Sequence, residues 1–420
     1  MPRINNNSAR RAIPSVPVLS LATFAAGRQA PSLPALDDAP AVRLVSSGRI
    51  AIGMALRALG VQPGDAVLVP AYHSPSMIPP VHWRGARVVF YRVHPDTTVD
   101  LADVAARFAA DTGIKAVMAT HFFGFPQDLS GLRALCDAHG AGLIEDCAHA
   151  FFGAASGAGG TVAVGASGDY AIGSSMKFFP IFEGGCLVSY RHALPGGLNG
   201  AGAGFEAKAA LAALETSFAQ GRLPALRLGM ALPLRLKSAL WNWKKARMKA
   251  SAGAEDGGAG AVAAPALAPA SSDSSFAFDP RWVDKRSSWF SRQVLRRAGR
   301  ARIVAARCRN YAELERALDG APGWSPLFPA LPDGACPWVF PLLAERPERL
   351  FASLQAAGVP MVRFGSQLWP GVDAGVCANS VMLGRRLFGL PCHQELSETE
   401  RAWLGVTVRR ALQDSMASPA

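Results

Sequence analysis

The sequence predicts an α/β protein, with a large domain on a mostly parallel sheet followed by a smaller C-terminal α+β domain. Between Val42 and Tyr190, short apolar runs alternate with stretches of helical period, the pattern of parallel strands covered by helices. That alternation stops near residue 200, and a compact strand-and-helix pattern resumes only beyond Arg281. The chain has 420 residues, half of them hydrophobic, which at about 150 residues per domain allows two to three domains with sizeable cores.

Taken in order, a helix over Ile50–Leu59 ends at Gly60, and Gly64-Asp65 turns the chain into a strand over Ala66–Val69. Strands follow at Arg87–Val93, Ala116–Ala119 and Gly142–Asp146, separated by helices near Ser76–Trp83, Leu101–Ala109 and Leu129–His139. Two more, Tyr170–Ile172 and Cys186–Tyr190, flank a loop. The stretch from Ser251 to Ser275 is low in complexity and reads as a linker. A basic helical pattern over Trp289–Leu318 then leads to strands at Trp338–Leu342 and Pro360–Phe364 and a helix at Leu350–Ala357. The organisation expected is an arm (1–40), the large domain (41–200), a basic insertion with linker (201–285), and a linking helix with the small domain (286–420).

Lys and Arg number 43 against 31 Asp and Glu, a formal charge of +12, which suits an anionic partner such as a phosphate group, nucleic acid or a membrane surface. No recognised nucleic-acid-binding module accompanies the charge, so nucleic acid is not expected. Seven cysteines without a CxxC pair signal neither a disulfide framework nor a thiolate zinc site, and fit reduced thiols in the cytoplasm. The longest run without Asp, Glu, Lys or Arg, Cys147–Gly168, is broken by glycines and is a poor membrane span. Arg3, Arg10 and Arg11 precede an uncharged stretch that Pro14 and Pro17 interrupt, so an extended arm is expected there rather than an export signal. The segment 222–249 interleaves eight basic residues with leucines, Trp241 and Trp243; it reads as a solvated helical insertion, with weak membrane-surface contact as the alternative.

Ligands of such folds gather where strands end and helices begin. Glu145-Asp146 closes an apolar strand, and Cys147-Ala148-His149 follows. Alone, Asp146 is well explained as a helix cap and Lys177 as a solvated charge. Together, a strand-end Asp and a downstream Lys among hydroxyls (Ser174-Ser175-Met176-Lys177) match the needs of pyridoxal phosphate: an amine for a Schiff base and an acid that keeps the pyridine nitrogen protonated. Its phosphate suits Ser46-Ser47-Gly48-Arg49, where a helix begins and Gly48 permits close backbone approach.

Five segments occur together: SSGRIAIGMALRALGVQPGDAVLVPAY (46–72), THFFGFPQDL (120–129), LIEDCAHAFFG (143–153), GDYAIGSSMKFFPIFEGG (168–185) and LPCHQELSETE (390–400). In order and spacing they resemble the DegT/DnrJ/StrS family of pyridoxal-phosphate-dependent sugar aminotransferases. The resemblance implies the fold-type I transferase architecture, pyridoxal 5'-phosphate as cofactor, Lys177 as the Schiff-base lysine, Asp146 as the pyridinium partner and His149 beside the cofactor ring. It implies a phosphate-binding turn at Gly48 and Arg49, where the family more often has Thr after the Gly, and a phosphate-binding hydroxyl at Ser174. The interval from Ser174 to the lysine is two residues shorter than in the family, so Ser175 competes for that role. A ring stacked on the cofactor is expected from Tyr72 or His73, with His73 preferred, and His121 matches a strand-end histidine of structural or catalytic use.

The family's Tyr/Asn/Arg cluster ahead of the long helix, which reaches the neighbouring subunit's site, reads Ser287-Ser288-Trp289-Phe290-Ser291-Arg292 here. The Asn does not transfer. The expected function is amino transfer from an amino acid, glutamate by preference, to a nucleotide-linked keto-sugar, in a cytoplasmic homodimer. The alternatives are a pyridoxal-phosphate lyase or dehydratase on the same scaffold, and a catalytically weak envelope-associated accessory protein. Lys177 argues against those dehydratases of the family that replace the lysine with histidine.

Overall fold

The computed structural model describes residues 13–25, 33–157, 160–194, 196–230 and 278–417. Its first part runs β1 (Ala41–Val45), α1 (Gly48–Ala58), β2 (Ala66–Pro70), α2 (Ile78–Trp83), β3 (Arg87–Tyr91), α3 (Leu101–Ala110), β4 (Ile114–Thr120), α4 (Ser130–His139), β5 (Gly142–Asp146), the hairpin β6 (Ala154–Gly157) and β7 (Gly160–Ala163), β8 (Tyr170–Gly173) and β9 (Gly185–Ser189). A seven-stranded sheet has the order β1-β9-β8-β5-β4-β2-β3. From β8 to β3 its neighbours are parallel, whereas β9 runs antiparallel to β8 and β1.

Helices on both faces bury every residue of β2, β8 and β9, which is why these strands are apolar throughout rather than alternating. Their parallel course sets the C-terminal ends of β2, β4, β5 and β8 along one edge, so the loops 71–75, 121–127, 147–150 and 174–178 converge.

The second part comprises α5 (Ala203–Ala219), α6 (Pro224–Gly229), α7 (Trp289–Arg297), α8 (Arg300–Leu318), β10 (Trp324–Pro326), β11 (Val339–Ala344), α9 (Pro347–Ala356), α10 (Ala374–Arg386), β12 (Leu387–Pro391) and α11 (Glu398–Ala417). β10, β11 and β12 form an antiparallel three-stranded sheet. Two expectations are corrected here. The helical run 289–318 is broken at Ala298-Gly299 because the arm crosses it: the Gly299 amide donates to Thr23 O at 2.9 Å, and a Cβ on Gly299 would lie 2.0 Å from Ala25 O. The stretch Pro360–Phe364 makes only one bridge, Val362 to Gly389, and then leaves the sheet through Gly365 at φ +75°.

The described part of the arm is fastened to the segment 393–395. His393 Nε2 meets Pro14 O at 2.9 Å, and Glu395 accepts from Ser20 Oγ at 2.6 Å and from Arg302 at 2.8 Å. Arg222, first of the basic segment, pairs with Glu400 at 2.8 Å and so is not on offer to a membrane. Residues 231–249 of that segment and the linker 251–275 lie outside the described residues. Among the described residues no helix is long and apolar enough to cross a membrane.

The two sheets meet at an interlocked pair of loops. The Phe123 and Gly124 carbonyls accept from Trp338 N (2.8 Å) and Cys336 N (3.1 Å), and a Cβ on Gly124, at φ +96°, would stand 2.1 Å from Cys336 O. Behind them lies Arg307 of α8, 0% exposed. Its Nη2 donates to Lys177 O (2.8 Å), its Nη1 to Pro337 O (2.9 Å) and Trp338 O (3.1 Å), and its Nε to Gln394 Oε1 (2.9 Å). The guanidinium carbon also sits 4.5 Å above the Phe178 ring. Among the described residues no carboxylate comes within ion-pair distance of Arg307, so neutral oxygens and a ring face stand in for hydration. Arg307→Met strands these oxygens in a dry interior and is expected to cost about 3–5 kcal/mol. That loss appears as a clear drop in the thermal unfolding midpoint, and an unchanged midpoint would show that the clamp is dispensable.

Candidate active site

Side chains alternate across a strand, so Glu145 and Asp146 face opposite ways although they are neighbours. Glu145, on the face toward the β7–β8 turn, accepts from the amides of Gly165, Ser167 and Gly168 and from His121 Nε2 at 2.8 Å. Burial pushes its carboxyl up, but the His121 hydrogen bond and the amides outweigh this and bring it below the usual range. His121 Nδ1 accepts from Gln127 N at 3.0 Å, which leaves the proton on Nε2 for Glu145. His121 is therefore a structural histidine. With Cys147 it forms a metal-like triad around Glu145, but the amide donors already saturate that carboxylate.

Asp146 takes the other face and is 4% exposed. One oxygen accepts from Ala148 N at 2.9 Å and the other from the Thr120 hydroxyl at 3.2 Å. Burial raises its carboxyl, and the Ala148 amide, the Lys177 charge and the Thr120 hydroxyl oppose that rise. Lys177 ends a short 3-10 turn after β8 and keeps part of its surface open. Burial brings its amine down to about 8, against the pull of Asp146. Its Nζ lies 4.5 Å from the centre of the Trp338 ring. The cluster thus holds a buried acid and a half-buried amine poised near neutrality, coupled by charge without direct contact.

His149 also joins the cluster. It stacks on Trp338 at 4.0 Å, meets Phe364 edge-on at 4.8 Å, and its Nδ1 faces the Phe123 amide at 3.5 Å. Burial first, and the Lys177 charge second, push it well below its usual range, so it is neutral.

At the start of α1 the Ser47 side chain caps Ile50 N, and Gly48 and Arg49 occupy the first two helical positions. A Cβ on Gly48 would meet Gly173 O at 3.3 Å, and one on Gly185 would stand 2.3 Å from Ser47 C. The helix start is therefore wedged against the end of β8, from which Ser174 and Ser175 emerge. Ser175 is buried beside the Cys186 thiol, and Ser174 is half-buried.

His73 is not brought to this cluster. Its Nδ1 bonds Ala71 O at 2.9 Å, its Nε2 accepts from Trp369 N at 3.2 Å, and its ring stacks on Phe90. The expectation that it stacks on a cofactor is corrected: both nitrogens and one face are committed to packing. Tyr72 likewise packs against Phe122 and Phe364 and donates to Phe364 O at 3.0 Å. Sequence reasoning missed Trp338, Phe364 and Arg307, which belong to the second part of the chain; the only local signal was an aromatic after Cys336-Pro337 at the mouth of a strand.

Residues 38–195 match the sequence model described as the DegT/DnrJ/EryC1/StrS aminotransferase family. The chain is 38% identical over 151 residues to a GDP-perosamine synthase of Vibrio cholerae, covering 34% of this chain and 39% of that protein. It is 36% identical over 136 residues to a UDP-N-acetyl-3-dehydro-alpha-D-glucosamine 3-aminotransferase of Acidithiobacillus ferrooxidans, covering 32% and 34%. The matches thus span well under half the length of these curated relatives. In overall fold it is similar to the PLP-form of a sugar aminotransferase, Spr1654, of Streptococcus pneumoniae (TM-score 0.60, 15% identity, 90% of this chain and 89% of that one). It is similar in the same way to a 3-amino-5-hydroxybenzoic acid synthase (TM-score 0.57, 21% identity, 90% and 88%). The family match is thus confined to residues 38–195, and the chain as a whole shares the α/β fold of these solved aminotransferase structures.

Proposed function

We propose that the protein is a pyridoxal-5'-phosphate-dependent aminotransferase that moves an amino group from an amino acid, with glutamate as the expected donor, to a nucleotide-linked keto-sugar. The observation that carries this reading is Lys177, in the turn after β8 and beside the Trp338 ring, an amine brought down to about 8 by burial within the field of the buried Asp146. The names of the two sequence relatives, a GDP-linked amino-sugar synthase and a UDP-linked aminotransferase, support the sugar-nucleotide acceptor.

The residues fit the cofactor. Gly48, at the first amides of α1, lies so close to the end of β8 that a Cβ there would meet Gly173 O at 3.3 Å, a close-packed helix start of the kind that a phosphate needs. Gly48, Arg49, Ser174 and Ser175 would hold that phosphate, and Asp146 would hold a proton on the pyridine nitrogen. When bound, pyridoxal phosphate supplies an aldehyde to carry the amino group and a ring that accepts the electron pair left at the substrate carbon. Lys177 would supply the amine that anchors the aldehyde, and its Nζ would take and return the proton. His149, neutral, walls the cluster without adding a charge that would compete with Lys177.

A homodimer, with the domain division at 41–200 and 286–420, is part of the same proposal. Trp289, 59% exposed beside Ser287 and Ser288, supports a subunit contact there. The seven cysteines are all unpaired, which supports a reducing, cytoplasmic setting. Weak membrane-surface contact through 222–249 is kept only for the stretch beyond Arg222, whose guanidinium Glu400 holds.

Lys177→Ala is expected to abolish formation of 2-oxoglutarate from glutamate. Asp146→Asn keeps the shape but loses the charge, and should lower kcat by about a hundredfold or more, about 2.7 kcal/mol of transition-state stabilisation, with the thermal midpoint preserved. An Asn variant with normal turnover would leave Asp146 as a turn-forming residue only.

The amine titrates at about 8 rather than at the ordinary 10.5, so it is charged below and neutral above that point. Modification of Lys177 by an amine-acylating reagent should rise through about pH 8 and level off above it, while surface lysines keep rising towards about pH 10.4. A Lys177 midpoint near the surface value would contradict the site. In stability terms the depressed amine costs folding its full penalty below about pH 8, and the penalty is relieved as pH rises from there towards 10.5.

A further inference from the structure

Lys177 Nζ is the atom at which any substrate of the proposed reaction must be handled, and the group against it is an indole. Trp338 comes from the approach to β11, whereas Lys177, Asp146 and His149 all come from the seven-stranded sheet. Its place is fixed by backbone as well as by packing: its amide donates to Phe123 O at 2.8 Å, and its carbonyl accepts from Arg307 at 3.1 Å. Its ring stacks on His149 at 4.0 Å and lies parallel to Phe123, at 2° and 6.4 Å. Phe122, Phe123 and His149 are buried, while Trp338, Phe364 and Lys177 keep part of their surface open.

The rim beside Nζ is therefore aromatic. The acid of the cluster, Asp146, is already committed to Thr120 and Ala148, and His149 is neutral. An indole face carries negative quadrupole density, so it attracts the electropositive C–H face of a saturated ring and repels carboxylate groups. We propose that Trp338 is the platform on which the ring of the keto-sugar acceptor seats, with Phe364 at its edge, so that this one side chain discriminates the acceptor from the small anionic amino donor. The proposal rests on the aminotransferase reading and goes beyond it by assigning acceptor recognition to a residue outside the family-matched segment 38–195.

The test uses the holoenzyme and its Trp338→Phe and Trp338→Leu variants, with glutamate as donor and a UDP-linked and a GDP-linked keto-hexose as acceptors. Thermal unfolding midpoints near that of wild type should show that both variants fold, and the glutamate half of the reaction, read as 2-oxoglutarate released without acceptor, should fall by less than the acceptor half. The acceptor KM of the better keto-hexose should rise about tenfold or more in the Leu variant and much less in the Phe variant, the scale expected when a ring contact is lost. An acceptor KM within about threefold of wild type in the Leu variant, or a parallel fall of both halves, overturns the platform. A wild-type holoenzyme that releases no 2-oxoglutarate from glutamate overturns the aminotransferase reading itself, and the platform with it.

Discussion

A single buried cation ties the two sheets of this protein into one site. Arg307 donates to the carbonyls of Lys177, Pro337 and Trp338 and to the side chain of Gln394, with no counter-charge in contact among the described residues. Because Lys177 belongs to the large sheet's loops and Trp338 to the approach of the small sheet, the guanidinium sets the spacing between the reactive amine and the wall it faces. Lysine at 307 would lack the planar fork that reaches three backbone carbonyls at once. The interlocked loops at Gly124 and Cys336 reinforce the same joint from the other side.

Strand alternation then divides two adjacent carboxylates into a structural and a reactive one. Glu145 is saturated by three amides and His121, and so holds the turn after β7 rigid against the sheet. Asp146 receives only Thr120 and Ala148, and so keeps electrostatic influence over Lys177. The depressed amine follows mainly from burial, with Asp146 opposing rather than causing it. Trp338 contributes as the surface that excludes water from one side of Nζ.

Much of this was legible in the sequence, and the boundary of legibility has physical causes. The strands 66–70, 142–146 and 170–173 announced themselves because a parallel sheet covered on both faces needs unbroken apolar runs, and the strand-end Asp146 and the loop lysine followed from that edge. His73 misled because an aromatic imidazole after a strand end fits cofactor stacking and core packing equally well; only its bonds to Ala71 and Trp369 decide. The break at Gly299 was hidden because it comes from the arm at Thr23 and Ala25, far away in sequence, and no helical periodicity records it. Arg307 and Trp338 were missed for the same reason: their partners are backbone carbonyls and rings brought together only by the fold.

The measurement that bears most directly on the role of Lys177 is borohydride reduction of the protein loaded with pyridoxal phosphate, followed by peptide mass mapping. The expected result is one pyridoxyl mass tag, on the peptide carrying Lys177, and its loss in the Lys177→Ala protein. A tag spread over surface lysines, or absent from the Lys177 peptide while the protein holds the cofactor, would contradict the assignment of this amine as the cofactor's anchor.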